Sequence, residues 1–239
     1  MLRRTFQRCS ARSVRATMAL ATTAPVTTQS RAVPTPASTI DFLLLLQNLK
    51  TTKRTGWVIR GVSAPESIAD HMYRMGMMSL VASGSELDQA RCVKMSIVHD
   101  VAEAIVGDIT PHCKVSPEEK KRLEADAVAQ IQSMLGPDTR AAQEVSELWR
   151  EYEAAASPEA QFVKDMDKIE MILQAYEYEG LQQGLNLQEF YDGTAGRFKT
   201  EAGKALAAEV LARRQVRRAS AVEGPGPAAS SGPAAAPGL

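Results

Sequence analysis

The chain has 239 residues, of which 44% are apolar, as expected for one soluble globular domain with flanking segments. Its 28 basic and 28 acidic side chains balance, but residues 1–40 hold six arginines and no acid, so the remainder has a formal charge of −6. This acidic body argues against a nucleic-acid polymer as partner, and without an apolar run long enough for a transmembrane helix we expect no membrane association.

The N-terminal segment, residues 1–39, is rich in Arg, Ser, Thr and Ala and contains no acid. This composition is typical of a mitochondrial or chloroplast transit peptide and predicts import into one of these organelles. The alternatives are a disordered cytoplasmic extension, or translation that begins at Met18. At the other end, residues 216–239 are rich in Ala, Pro and Gly and are expected to be disordered. The folded domain is therefore predicted at 40–215.

Between these limits the spacing of apolar residues is helical almost throughout, which predicts an all-α bundle. Ser-Pro-Glu at positions 116–118 and 157–159 indicates two helix starts, with Ser as the cap and Pro at the first helical position. We found no alternating run of β-branched residues and no internal repeat. The predicted helices are 40–49, 66–83, 88–106, 116–136, 139–155, 157–180 and 201–214.

Polar residues interrupt this apolar pattern in three stretches, at 66–74, 98–109 and 163–170. His99 and Glu103 are four residues apart and would share a helix face. An adjacent His99-Asp100 pair in an apolar helix is costly to desolvate without a partner, and a divalent cation would supply one. Imidazole and carboxylate ligands suit Mn, Fe, Co, Ni or Zn, and also admit Mg.

Each of these residues has a simpler explanation when taken alone. His71, on a Met-rich helix, could be a hydrogen-bonded core histidine, and Asp167 could be paired with Lys164 or Lys168. The set and its order favour a metal site, because a His, a His-Asp pair and an Asp come from three separate predicted helices.

The order H…HD…D in an all-α chain resembles the HD superfamily of metal-dependent phosphohydrolases. Longer segments resemble, more narrowly, the 5′-deoxynucleotidases of that superfamily, over about residues 40–200. These segments are RTGWVIRGV (54–62), PESIADHMYRM (65–75), VHDVAEAIVGDITP (98–111), KDMDKIEMILQAYEYE (164–179) and EFYDGTAGRF (189–198).

The resemblance implies that a divalent cation, Mn, Co or Mg, is bound by His71, His99, Asp100 and Asp167. It implies catalytic roles for Glu103 and Asp108, or their use, with the Ile109 carbonyl, as ligands of a second ion. Substrate contacts are implied for Arg54 and Trp57, with Arg60 as the alternative arginine, whereas His112 has no counterpart. It also implies a homodimer, in which core or interface positions would be taken by Met72, Met75, Met77 and Met78.

The expected reaction is hydrolysis of a small molecule, a deoxyribonucleoside 5′-monophosphate, to deoxynucleoside and phosphate. One alternative is another HD activity, either a cyclic-nucleotide phosphodiesterase or a dNTP hydrolase. A triphosphate hydrolase would need additional Arg or Lys, and the sequence of the folded part shows no obvious basic cluster. The other alternative is a non-catalytic helical module in which the polar set stabilises a dimer.

Overall fold

A computed structural model describes residues 32–222, which form the all-α domain that the sequence predicts. Most of the expected transit segment and residues 223–239 lie outside this range. Within it no strand forms, and strand-like pairing is limited to one antiparallel bridge between Lys53 and Ser67. None of its helices is both long and apolar enough to cross a bilayer. The helices are α1 Pro36–Leu45, α2 Gln47–Thr51, α3 Thr55–Ile59, α4 Ile68–Ala82, α5 Gln89–Val98, α6 Glu103–Val106, α7 Pro117–Leu135, α8 Arg140–Ala154, α9 Pro158–Leu181, α10 Gln188–Thr194 and α11 Glu201–Val222, with a single 3-10 turn at Pro111–Cys113.

Helix α9 is the centre of the bundle and contacts α4, α5, α8, α10 and α11. Its buried apolar residues include Phe162, Val163, Met166 and Ile172, each at most 1% exposed. A second core cluster joins α1, α7 and α8 around Ile131. Because burial of apolar surface is the main stabilising term, helix α9 fixes the positions of the helices around it.

The two Ser-Pro-Glu motifs start helices as predicted. Ser116 Oγ accepts a hydrogen bond from the backbone N–H of Glu119 at 3.1 Å, and Ser157 Oγ accepts one from Ala160 at 3.0 Å. Each hydroxyl satisfies a backbone donor that has no partner inside its own helix. The α7 and α9 starts could therefore be read from local sequence.

The predicted helix 88–106 is not continuous. Helix α5 ends at Val98, and α6 comprises only Glu103–Val106. Between them the backbone tightens to i→i+3 hydrogen bonds, from the N–H of Val101 to Val98 and from that of Glu103 to Asp100. His99 and Glu103 therefore do not share the face of one regular α-helix, as the sequence had suggested.

The ends of the domain also differ from the predicted limits. Helix α1 begins at Pro36, inside the segment expected to be a transit peptide, and the predicted helix 40–49 is divided between α1 and α2. Helix α11 continues beyond 215, because the buried Arg214 pairs with Glu179 of α9 at 2.7 Å. The short helices α3 and α10 were not predicted.

Candidate metal centre and adjoining cavities

Two buried imidazoles face each other at the junction of α4 and α5. His71 is 0% exposed and His99 is 3% exposed, and their ring centroids are 5.4 Å apart. His71 Nδ1 lies 2.6 Å from Glu170 Oε2, and His99 Nδ1 lies 2.9 Å from the carbonyl oxygen of Ser96. Among residues 32–222, neither Nε2 atom has a hydrogen-bond partner. Because a neutral ring whose Nδ1–H donates to oxygen keeps its lone pair on Nε2, both rings can present this atom to a cation.

Two carboxylates complete this group. Asp100 Oδ2 lies 3.0 Å from His99 Nε2 and 3.8 Å from His71 Nε2, and Asp167 Oδ1 lies 3.3 Å from His71 Nε2. Ligand atoms of His71, His99 and Asp167 all lie within 4.8 Å of one another. Tyr152 donates its hydroxyl hydrogen to Asp167 Oδ2 at 2.8 Å. Two buried imidazole nitrogens without partners, together with two carboxylates, form a donor set that fits a divalent cation.

The electrostatics of the group favour positive charge at its centre. Burial raises the pKa of Asp100, but the charge of the adjacent His99 outweighs burial and brings this pKa to about 2. Burial and the charge of Arg54 lower the pKa of His71, but its contacts with the carboxylates of Asp167 and Glu170 raise it to about 9. These carboxylates therefore favour positive charge at the centre, whether a proton on His71 or a cation in its place.

Glu103 and Asp108 lie beside this group. Glu103 is 4% exposed, and its Oε2 has no hydrogen-bond partner in the described part of the chain. Burial, followed by the charges of Asp100 and Asp108, raises its pKa well above the usual range. Asp108 follows Gly107, whose φ of 74° favours glycine, and its Oδ2 accepts the backbone N–H of Thr55 at 2.6 Å.

The expected second ion site, formed by Glu103, Asp108 and the Ile109 carbonyl, stays a prediction. Glu103 and Asp108 belong to neither of the two groups of three potential ligands found within residues 32–222. The Ile109 carbonyl oxygen accepts a hydrogen bond from Lys120 Nζ at 2.8 Å. Both acids nevertheless line the same cavity as His99, Asp100 and Asp167.

The structure separates the two candidate arginines. Arg54 Nη1 lies 3.5 Å from Asp100 Oδ2, and the backbone N–H of Arg54 donates to the Glu66 carbonyl at 3.1 Å. Arg60 caps the C-terminal end of α3 and forms an ion pair with Glu189. Trp57 is 1% exposed and donates its indole N–H to Glu66 Oε1 at 2.9 Å.

Two adjoining cavities meet at Arg54. The metal-side cavity, of about 800 Å³, is lined by the candidate ligands His99, Asp100 and Asp167 and by both acids. The tryptophan-side cavity, of about 350 Å³, is lined by Trp57, Phe190 and His112. Both cavities are lined by Arg54, Asp108, Thr110, Pro111, Met171 and Arg197.

Sequence reasoning did not assign several residues of this site. Glu170 lies in the polar stretch 163–170. Its position three residues after Asp167 on α9 could have indicated that it pairs with His71. Tyr152 comes from α8 and carried no such signal. The basic residues around the metal-side cavity were also missed; they are Lys120, Lys121, Lys164 and Arg197.

Comparisons with known proteins agree with this geometry. A family described as "HD domain" matches residues 46–206. Human "5′-deoxynucleotidase HDDC2" is 48% identical over 189 residues, which cover 79% of this chain and 92% of that protein. The fission yeast "5′-deoxynucleotidase hdd1" is 53% identical over 144 residues, covering 59% and 73%.

Solved structures show the same fold. The crystal structure of the PH0347 protein from Pyrococcus horikoshii OT3 superposes with a TM-score of 0.61 at 37% identity, and covers 74% of this chain and 99% of that chain. The structure of "HD domain-containing protein YGK1" gives a TM-score of 0.60 at 30% identity, with coverage of 77% and 88%.

Proposed function

This chain belongs to the HD-domain family, and from that premise we propose that it hydrolyses deoxyribonucleoside 5′-monophosphates to deoxynucleoside and phosphate. The proposal is supported by relatives that bear the name 5′-deoxynucleotidase, at 48% and 53% identity. The observation that carries it is the pair of buried Nε2 atoms without hydrogen-bond partners, which lie beside Asp100 and Asp167. His99 and both carboxylates line a cavity that adjoins a second, partly apolar one.

His71, His99, Asp100 and Asp167 would hold the divalent cation. When bound, such an ion polarises a phosphoryl oxygen and lowers the pKa of coordinated water. Mn and Co match the mixture of nitrogen and oxygen donors better than Mg, which favours oxygen ligands alone.

Glu103 is the group that we assign to proton removal from the attacking water. It is buried beside the ligands, and its raised pKa makes it a stronger proton acceptor than an ordinary carboxylate. As the water oxygen bonds to phosphorus, the P–O5′ bond breaks, and the proton taken up by Glu103 passes through Asp108 to the leaving 5′-oxygen. Asp108 suits this role because it lines both cavities, at the junction where that oxygen would lie. The engagement of the Ile109 carbonyl by Lys120 supports these roles over a second ion site.

Arg54 is the arginine that we assign to the phosphate. Its guanidinium lies at the junction of the cavities and 3.5 Å from Asp100, so it can neutralise a phosphate held beside the ligands. Trp57 would supply apolar surface to the sugar or base, because its polar N–H is already bound to Glu66. Arg60, outside both linings, does not take the phosphate role.

A triphosphate substrate is the second candidate, because four basic residues surround the metal-side cavity and could bind further phosphates. However, Lys120 Nζ lies 3.5 Å from Glu124 Oε1 and Lys164 Nζ lies 3.5 Å from Glu153 Oε1. Since these pairs already balance the charge of both lysines, the monophosphate remains the favoured substrate.

A substrate panel with defined metal content tests the proposal. Phosphate release is measured from dAMP, AMP, dATP and cyclic AMP with Mn, Co or Mg, before and after chelation. We expect dAMP to be hydrolysed fastest, activity to disappear on chelation, and Mn or Co to restore it. If the protein binds no metal and hydrolyses none of these compounds, it is a non-catalytic module. If dATP or cyclic AMP is hydrolysed fastest, the protein has another HD activity.

We also propose that the chain forms a homodimer through an exposed apolar stripe on α4. Met72 and Met75 are in the core, but Tyr73, Met77, Leu80 and Val81 are 42–77% exposed at helical spacing. Light scattering should give the mass of a dimer for the parent and of a monomer for Leu80→Asp. Leu181→Asp, at another exposed leucine, is the matched control and should remain dimeric. A monomeric parent would contradict the proposal.

For the N-terminal segment we propose import into a mitochondrion or chloroplast, on the support of its arginines and lack of acids. Residues 1–39 fused to a fluorescent protein should reach one of these organelles. Uniform cytoplasmic fluorescence would refute import and favour the extension or the Met18 start.

A further inference from the structure

The outer part of the tryptophan-side cavity is where a base would lie. Six of its lining residues are shared with the metal-side cavity and so mark the inner end. With the phosphate beside the ligands, the sugar would occupy this junction and the base would extend outward. The outer lining is formed by Gly56, Trp57, His112, Glu189, Phe190 and Gly193.

Among these six outer residues, two side chains can hydrogen-bond a base. The indole N–H of Trp57 is bound to Glu66 at 2.9 Å, and the Phe190 ring, 4.4 Å from Trp57 between centroids, is apolar. The glycines have no side chain. Recognition of the base edge by side chains therefore falls to Glu189 and His112.

Arg60 holds the carboxylate of Glu189 in place. The guanidinium donates from Nε to Oε1 and from Nη2 to Oε2 of Glu189, and this two-point contact fixes the plane of the carboxylate. A carboxylate has about four acceptor positions, so two remain after this contact. An ionised carboxylate offers no donor, so it attracts amino groups and repels carbonyl oxygens.

We propose that Glu189, oriented by Arg60, reads the base and makes the site prefer bases that carry an exocyclic amino group. This inference rests on the proposed 5′-deoxynucleotidase function, since that function sets which end of the substrate lies at Glu189. Arg60 is a positioning residue, because it acts through Glu189.

The pair dCMP and dUMP tests this preference, because the two differ at position 4 of the ring, amino against carbonyl, and in the protonation of N3. For the parent, kcat/KM for dCMP should exceed that for dUMP by about tenfold, as expected for one hydrogen bond to a charged group. Glu189→Gln should bring this ratio close to one, because an amide both donates and accepts. Arg60→Gln should lower the ratio through a loss of kcat/KM for dCMP, whereas a general structural defect would lower kcat/KM for both nucleotides alike.

Asp192→Asn is the matched control. Asp192 lies on the same helix α10 and accepts from Gln188 at 2.8 Å, but it does not line this cavity. Removing its charge should leave the dCMP to dUMP ratio unchanged.

Three results would overturn the assignment of Glu189. They are a parental ratio near one, a ratio that persists in Glu189→Gln, and a ratio lost in His112→Ala instead. If neither nucleotide is hydrolysed, the proposed 5′-deoxynucleotidase function is refuted. Calorimetric binding of dCMP and dUMP then tests the base preference separately. Tighter binding of dCMP that depends on Glu189 would support the inference, and equal binding would overturn it.

Discussion

His71 Nδ1 lies 2.6 Å from Oε2 of Glu170, and both side chains are completely buried. The other carboxylate oxygen, Oε1, accepts from Arg74 Nε at 2.8 Å. Glu170 thus holds the His71 proton on Nδ1 and turns Nε2 toward Asp100 and Asp167. A partner of this kind on the outer nitrogen usually fixes the orientation and basicity of a metal-binding imidazole.

Replacing Glu170 by Gln should weaken divalent-cation binding by about 10- to 100-fold. The amide oxygen of Gln can accept a hydrogen bond from only one of His71 and Arg74. The amide NH2 group would then face the other side chain, so two hydrogen-bond donors would meet. Competition with a chromogenic chelator measures the affinity. Glu177→Gln removes another partner of Arg74, bonded at 2.8 Å but largely exposed, and should leave the affinity near the parental value. Equal affinities in both variants would show that Glu170 does not position His71.

Glu103→Gln should lower kcat for dAMP by about 10²- to 10⁴-fold while the protein keeps its metal. The substitution retains the volume of a buried side chain but removes the group that accepts the proton. Elemental analysis alongside steady-state kinetics checks both parts. Loss of the metal together with the rate would identify Glu103 as a ligand rather than a base.

Glu66 should make the free energy of unfolding depend on pH. Burial raises its pKa, the charge of Glu170 raises it further, and the hydrogen bond from Trp57 offsets only part, giving about 7. Because the folded protein holds this proton more tightly than the unfolded chain, stability should fall as pH rises from about 4.5 to about 7, by at most about 3 kcal/mol. Above that window the contribution is constant.

Glu66→Gln tests this pH dependence, since a neutral amide can still accept from Trp57. Denaturant unfolding at pH 5 and pH 8 should show the variant gaining stability relative to the parent at the higher pH. If the free energies of unfolding of variant and parent differ equally at pH 5 and pH 8, Glu66 does not titrate in this window.

Gly203→Ala should destabilise the domain by roughly 1–3 kcal/mol. A Cβ at this position of α11 would lie 2.5 Å from Oδ2 and 2.8 Å from Cγ of Asp165. Asp165 is completely buried, and its Oδ2 accepts from the backbone N–H groups of Lys199 and Thr200, so it cannot move aside.

Thermal unfolding measures the effect of Gly203→Ala. Gly193→Ala, in α10, is the control, because no described atom lies within 4 Å of its added Cβ and alanine favours helix by up to about 1 kcal/mol. We expect the midpoint to fall for Gly203→Ala and to hold or rise for Gly193→Ala. A parental midpoint for Gly203→Ala would show that α11 can shift away from α9.

The features that depend on residues close together in the chain could be predicted from the sequence. The starts of α7 and α9 follow from Ser, Pro and Glu within three positions, and their apolar faces follow from helical periodicity. The break after Val98 was missed, because an apolar pattern is compatible both with a regular helix and with tighter i→i+3 turns. Helix α10 was missed because seven residues are too few to establish a period.

The candidate metal group and the base end of the cavity were not equally predictable. His71, His99, Asp100 and Asp167 are chemically conspicuous, since polar residues on apolar helices need partners. Glu189 is exposed and ordinary in sequence, and its contact with Arg60 spans 129 positions. No periodicity or spacing links such residues, so the outer part of the tryptophan-side cavity could be recognised only in the three-dimensional fold.

The boundary that the two cavities share has a kinetic consequence. A substrate that spans Arg54 and Asp108 would be cleaved at this boundary, so each product would be left in its own cavity. We expect phosphate to stay beside the metal ligands and the deoxynucleoside to stay against Trp57 and Phe190. Neither product would then have to leave before the other.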